Sequence, residues 1–359
     1  MVHDGFRTRV LLAALFSTAL GWGYFAAGQI AVGPVRPILT EEGQQVVFDK
    51  SNFQRRELCK RLPLEDAWPA ATEMVKALER YGLAEVKLAR AIPVPARIAT
   101  GVYLVGQDHV SNLTYMIDCG PAGVAIIDPT YESEVERTIA NVELCGRSRK
   151  DIRWVLNTHC HVDHAMADRK FRELGAEILI HEEDAAAVEK GTQVTAFYLD
   201  ASQKGGAGFP TSKVDRRLSD GEELKLGSQS LLVIHTPGHT PGSASFVLKA
   251  DDKTLLFSGD TVLYDYRMGW QGNPYADNRK YLFSLEKLER FATSAQKIRW
   301  DVLLPGHGAI SMDKAFLDIR KARELLASDL AAGREVRSVP FDTREYRMRM
   351  YGRPALAVP

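Results

Sequence analysis

Thr158-His159-Cys160-His161-Val162-Asp163-His164 follows the apolar pair Val155-Leu156 with only Asn157 between, and this stretch decides how the chain is read. Where a buried strand ends and the backbone stays extended, alternate side chains face one way. His159 and His161 therefore point into one pocket. Asp163 and His164 come as the chain turns toward a helix, offering an oxygen and a further nitrogen to a neighbouring position. The chain has 9 histidines in 359 residues. With histidine at about 2.5% and aspartate near 5%, this pattern arises by chance about once in a million windows. A lone buried imidazole is ordinarily a hydrogen-bonded core group, but three beside a carboxylate form a set of metal donors.

Working outward, three more loops offer donors of the same kind. Pro237-Gly238-His239 follows a strand ending at Ile234, Gly259-Asp260 follows one ending at Phe257, and Pro305-Gly306-His307 follows one ending at Leu304. Glycine beside each candidate allows tight turns, so a short side chain can reach a shared centre.

The surrounding pattern is of α/β type. Short β-rich runs at Val102–Val105, Leu113–Ile117 and Val124–Ile127 predict strands of a meander, and Glu132–Glu143 predicts a helix. Strand, helix, strand and helix are then expected at Trp154–Leu156, Ala165–Leu174, Ile178–Ile180 and Glu182–Glu189. Residues 191–217, with Gly205, Gly206, Gly208 and Pro210, read as a long loop at the edge of the site. Strands resume at Leu231–Ile234, Ala244–Leu248 and Thr254–Phe257. A helix from Tyr281 to about Ala295, a strand Val302–Leu304 and a helix marked by Phe316, Ile319 and Leu326 complete the domain, assigned to residues 96–333. Residues 29–95 read as an extension containing a helix capped by Asp66 and ended by Gly82. Residues 334–359 read as an irregular tail.

Composition narrows the partners. Hydrophobic residues make up 45% and charged residues 26%, an ordinary folded make-up. Lys plus Arg total 46 and so do Asp plus Glu, so no overall positive field gathers nucleic acid, and a small-molecule substrate is expected. Cys59, Cys119, Cys145 and Cys160 form no CxxC pair and read as free thiols, with a Cys119–Cys145 pairing as the alternative. Arg7 and Arg9 precede an apolar run from Val10 to Ala27, the layout of an export signal over residues 1–28, cleaved or kept as a membrane anchor through residues 10–27. Either form places the bulk of the chain outside the cytoplasm, periplasmic, secreted or anchored.

His159, His161, Asp163, His164, His239, Asp260 and His307, in this order, resemble the ligand set of the metallo-β-lactamase superfamily. The resemblance covers about residues 96–325. It implies a four-layer αββα sandwich with metals at one edge. It places His159, His161 and His239 on one metal and Asp163, His164 and His307 on a second, with Asp260 bridging. Asp128 matches a buried aspartate of the family that supports the ligand loop; a strand-terminating turn before Pro129 is the alternative. Seven side chains exceed what one tetrahedral cation uses, which also points to two adjacent divalent ions, zinc first and iron or manganese as alternatives.

A metal lowers the pKa of bound water to about 7. The resemblance therefore implies a hydrolase in which hydroxide attacks an ester, thioester, lactone or lactam carbonyl, with Asp163 and Asp260 in catalytic roles. Asp260 stands where secreted β-lactamases sharing the HxHxDH motif lack a bridging carboxylate. Glyoxalase II and quorum-quenching lactonases share the ligands, and Tyr264 or Tyr266 corresponds to a lactonase pocket tyrosine. Persulfide dioxygenases keep a similar motif around a single iron, so an oxidoreductase is the alternative from another class, and a non-catalytic metal-binding protein is a third. His181 and His235 fall outside the ligand pattern and read as structural imidazoles. Cys160 is expected to point away from the metals, and Trp270 to share a pocket-lining or surface role with the two tyrosines.

Overall fold

A computed structural model describes residues 94–107, 112–192, 194–195, 209–263, 268–269, 275–291, 298–307, 310–311 and 315–333. The expectations for residues 1–28, the helix from Asp66, Cys59, the tail from Arg334, and Tyr264, Tyr266 and Trp270 fall outside these residues.

Twelve strands in the described residues form two sheets. The first, in the order β1-β2-β3-β4-β5-β6-β7, contains β1 (Ala96–Ala99), β2 (Val102–Gln107), β3 (Leu113–Asp118), β4 (Val124–Ile127), β5 (Ile152–Asn157), β6 (Glu177–His181) and β7 (Arg216–Leu218). The second, in the order β12-β11-β10-β9-β8, contains β8 (Glu223–Leu226), β9 (Gln229–His235), β10 (Ala244–Ala250), β11 (Lys253–Gly259) and β12 (Val302–Pro305). β1 to β4 run antiparallel as a meander, whereas β4 to β7 are parallel and joined through helices.

Side-chain alternation builds the layers. Along β4, Ala125 and Ile127 enter the core between the sheets beside Tyr115, Leu156, Phe246, Phe257 and Leu304. Val124 and Ile126 turn the other way, onto Val135, Ile139 and Val142 of α1 (Val135–Leu144). A strand covered on both faces reads as a continuous apolar run, which accounts for Val-Ala-Ile-Ile. On the far side, Ile234, Val247 and Leu256 pack against Tyr281, Leu285 and Leu288 of α5 (Asn278–Arg290) and Ile319 and Leu326 of α6 (Ala315–Ala331). The result is the αββα order of layers. Each fully buried Leu, Ile or Phe contributes about 1.5–3 kcal/mol.

Three expectations change in detail. The helix foreseen at Ala165–Leu174 is two pieces, α2 (Val162–Ala165) and α3 (Asp168–Glu173), because Ala167 N–H donates to Thr130 O at 2.9 Å across the domain. The stretch assigned to a loop ending at residue 217 instead enters β7 at Arg216, pairing with Leu179 to His181 of β6. The helix foreseen from Tyr281 starts earlier, at Asn278, where Asp277 Oδ1 accepts from Arg279 N at 2.9 Å and Lys280 N at 3.0 Å.

Candidate metal centre

The candidate donors lie beyond strand ends. His159 and His161 follow β5; Asp163 and His164 lie in α2; His239 follows β9, His307 follows β12, and Asp260 follows Gly259, the last residue of β11. The folded chain brings all seven together. His159, His161 and His239 form one group, and Asp163, His164 and His307 another; in each the donor atoms lie within 4.8 Å of one another. Asp260 joins them. Its Oδ2 is 3.4 Å from His239 Nε2 and 3.4 Å from His307 Nε2, while its Oδ1 is 3.6 Å from His164 Nε2.

These separations fit cations. Donors bound at about 2.1 Å in tetrahedral geometry lie about 3.4 Å from each other. His307 Nε2 stands 3.3 Å from Asp163 Oδ2 and 3.3 Å from His164 Nε2. Among the described residues, the buried His159 Nε2 and Asp260 Oδ1 have no hydrogen-bond partner. Buried polar atoms are generally satisfied, and these two lie among the clustered donors, which fits a ligand that takes their lone pairs.

Neighbours fix the ring orientations. Asp128 Oδ1 accepts from Thr158 N at 2.8 Å and its Oδ2 from Thr158 Oγ1 at 2.7 Å. With its hydroxyl proton so engaged, Thr158 Oγ1 accepts from His159 Nδ1–H at 3.1 Å, leaving Nε2 to face the centre. Asp128 Oδ2 likewise stands 3.1 Å from His164 Nδ1, directing that ring's Nε2 inward. Asp128 itself has φ 50°, so one residue both turns the chain at the strand end and supports the donors.

Glycines allow the close approach. A Cβ on Gly259, whose φ is 50°, would stand 2.3 Å from Thr158 Oγ1; one on Gly306 would stand 2.5 Å from Asp260 Oδ1 and 2.6 Å from His164 Cε1.

The electrostatics divide the donors. Burial, reinforced by neighbouring imidazoles, pushes His159 and His161 well below the usual imidazole range, so they are neutral donors. Burial lowers His164 too, but the carboxylates of Asp163, Asp260 and Asp128 prevail and raise it to about 9. His307 is raised in the same way, chiefly by Asp260 against burial. Burial opposes ionisation of Asp163 and Asp260, yet His164 and His307 hold both carboxyls well below the usual range. The centre opens on the Asp163 side, where Asp163 is 21% and His307 16% exposed while His164 is 1%.

The superfamily profile for metallo-beta-lactamases matches residues 108–307. The chain belongs to the metallo-beta-lactamase superfamily. It is 35% identical over 214 residues to a probable metallo-hydrolase of Methanocaldococcus jannaschii, covering 59% of this chain and 95% of that one. An acyl-coenzyme A thioesterase of Gallus gallus is 28% identical, over 42% of this chain and 54% of the relative. A native metallo-beta-lactamase of Legionella gormanii shares the fold, with a TM-score of 0.53 and 24% identity, over 67% of this chain and 97% of that structure. As a superfamily member the chain is a metal-dependent hydrolase.

Other residues separate from the centre. The Cys160 side chain packs with Ala165, Ile180, Ala185 and Val188. Cys119 and Cys145 are free thiols, both pushed up to about 12 by burial. His181 and His235 stack on each other with ring centroids 3.9 Å apart and belong to neither donor group. His181 Nδ1 accepts from Glu183 N–H at 3.3 Å, and His235 Nε2 donates to Pro241 O at 2.9 Å. Two supports carried no signal in the sequence beyond residue type. Tyr281 Oη lies 2.6 Å from both Asp260 O and Thr261 O, and Asn112 Nδ2 donates to Asp163 O at 2.5 Å.

Proposed function

We propose that this superfamily hydrolase works with two divalent cations, zinc first among them, and cleaves an ester, thioester, lactone or lactam of a small molecule. One observation carries the reading: the Asp260 carboxylate stands within 3.4 Å of His239 in one donor group and of His307 in the other. A carboxylate there offsets the repulsion between two adjacent cations. His159, His161 and His239 would hold one, Asp163, His164 and His307 the other, and Asp260 both.

Bound in this way, the pair supplies hydroxide near neutral pH and positive charge for the developing oxyanion. The protein does the rest. Thr158 and Asp128 hold the imidazole protons of His159 and His164 on Nδ1, so each Nε2 lone pair faces inward. Substrate enters beside Asp163 and His307, the most exposed donors. There an oxygen of the Asp163 carboxylate would orient the attacking water or pass a proton to the leaving group. The thioesterase named among the relatives supports a thioester as the first substrate to try.

The amino-terminal apolar run from Val10 to Ala27 supports action outside the cytoplasm, with the run cleaved or retained as an anchor.

Elemental analysis of the purified chain, joined to thioester, lactone and β-lactam assays, tests the proposal. Two zinc-like ions per chain and turnover of at least one class are expected. A single iron per chain with thiol-dependent oxygen uptake overturns it in favour of an oxidoreductase.

A further inference from the structure

Asp184 stands in the first turn of α4 (Glu182–Lys190) with 1% of its surface exposed. Its carboxylate accepts hydrogen bonds from two separate loops. Oδ2 takes the Cys160 N–H at 3.0 Å and the Thr240 hydroxyl at 2.7 Å; Oδ1 takes the Gly242 N–H at 2.7 Å. Cys160 lies between His159 and His161, and Thr240 directly follows His239. One buried carboxylate therefore fastens the segment carrying two imidazoles to the segment carrying the third.

The approach is close. A Cβ on Gly242 would meet Asp184 N at 2.4 Å and Asp184 Cγ at 2.6 Å, so only glycine lets the loop come this near. Ser243 Oγ closes the same loop, accepting from Thr240 N at 3.0 Å. A carboxylate is costly to bury, and three donors on its two oxygens offset that cost. An amide in its place has one acceptor oxygen and an NH2 that would face an N–H or a hydroxyl proton.

We propose that Asp184 is a positioning residue that sets the separation between the His159–His161 pair and His239, and so governs affinity for the cation held by those three imidazoles. The proposal rests on the two-cation reading above. His164, in the other group, takes its orientation from Asp128. Asp184 therefore bears on the three-imidazole group alone, whereas Asp128 supports His164 directly and His159 through Thr158.

The test titrates the purified, chelator-stripped full chain with Co2+, followed by visible absorption and calorimetry, in wild type, Asp184→Asn, Thr240→Val and Asp128→Asn. Wild type is expected to take two ions. In Asp184→Asn and Thr240→Val one step weakens about tenfold or more, as for other residues that orient ligands, and the ligand-field bands of the three-imidazole site shift. The step at the site of Asp163, His164 and His307 changes less than the first, whereas Asp128→Asn, which loosens His164 directly and His159 through Thr158, weakens both steps. Circular dichroism checks the fold, and Thr240→Val alone decides if Asp184→Asn does not fold. Two unchanged binding steps in the folded variants overturn the positioning role and leave the two-cation reading standing. A wild-type chain that takes up no cobalt overturns both.

Discussion

Asp128 Oδ2 stands 3.1 Å from His164 Nδ1, and both side chains are almost wholly buried. The same carboxylate holds Thr158, which in turn orients His159. An Asp128→Asn chain should fold but bind metal 10–100-fold more weakly, roughly the cost of losing such an orienting partner. Calorimetric titration of stripped protein checks it, and unchanged affinity would show that the ring is held by packing alone.

Gly306 lies against Asp260 and His164 without being a donor. Gly306→Ala places a methyl 2.5 Å from Asp260 Oδ1 and 2.6 Å from His164 Cε1. Relieving these contacts shifts a donor by about 1 Å, a misplacement that costs about 100-fold in rate. Hydrolysis is expected to fall at least that far while the core and its circular dichroism stay intact.

Much of this geometry was legible beforehand. The HxHxDH run and the three later strand-end loops marked all seven candidate donors, because donors beyond strand ends keep their order and their flanking glycines along the chain. The sandwich followed from apolar runs such as Val124–Ile127. What escaped notice depends on contacts distant in sequence. Asp184 looked like an ordinary acidic residue in a helix's first turn, since its partners are 24 and 56–58 residues away. β8 (Glu-Leu-Lys-Leu) does carry a strand's alternation, but over only 4 residues. β7 is 3 residues with two exposed arginines and takes its strand form from pairing with β6.

Metal removal should act through protons. In the metal-free centre His164 is raised to about 9, and a cation must displace its proton. Protonated His164 stabilises the empty fold below the unfolded value of about 6.5, and this contribution is lost as pH rises through about 9. Chelation should therefore lower the melting temperature more at pH 9 than at pH 6.5. At a hundred times Kd the loaded chain gains about 2.7 kcal/mol per site. Calorimetry in buffers of different ionisation heat should also register proton release; uptake without it contradicts the protonated empty site.

Asp168 is buried, with Oδ2 accepting from Asn157 Nδ2 at 2.7 Å. Burial, with the Asp128 charge behind it, raises its carboxyl well above the usual range. The unfolded chain releases this proton first, near pH 3.9, so stability is full below that pH and falls as pH rises toward the folded value. Asp168→Asn should flatten the decline and leave the chain more stable than wild type at pH 7. Urea unfolding of loaded protein from pH 4 to 7 measures it; parallel curves would place the ionised form in the fold.

Anomalous scattering at the zinc edge from crystals of zinc-loaded protein tests the two-cation centre most directly. Two peaks are predicted, one among His159, His161 and His239 and one among Asp163, His164 and His307, each about 2.0–2.2 Å from an oxygen of Asp260. A single peak, or two peaks with Asp260 touching neither, contradicts it.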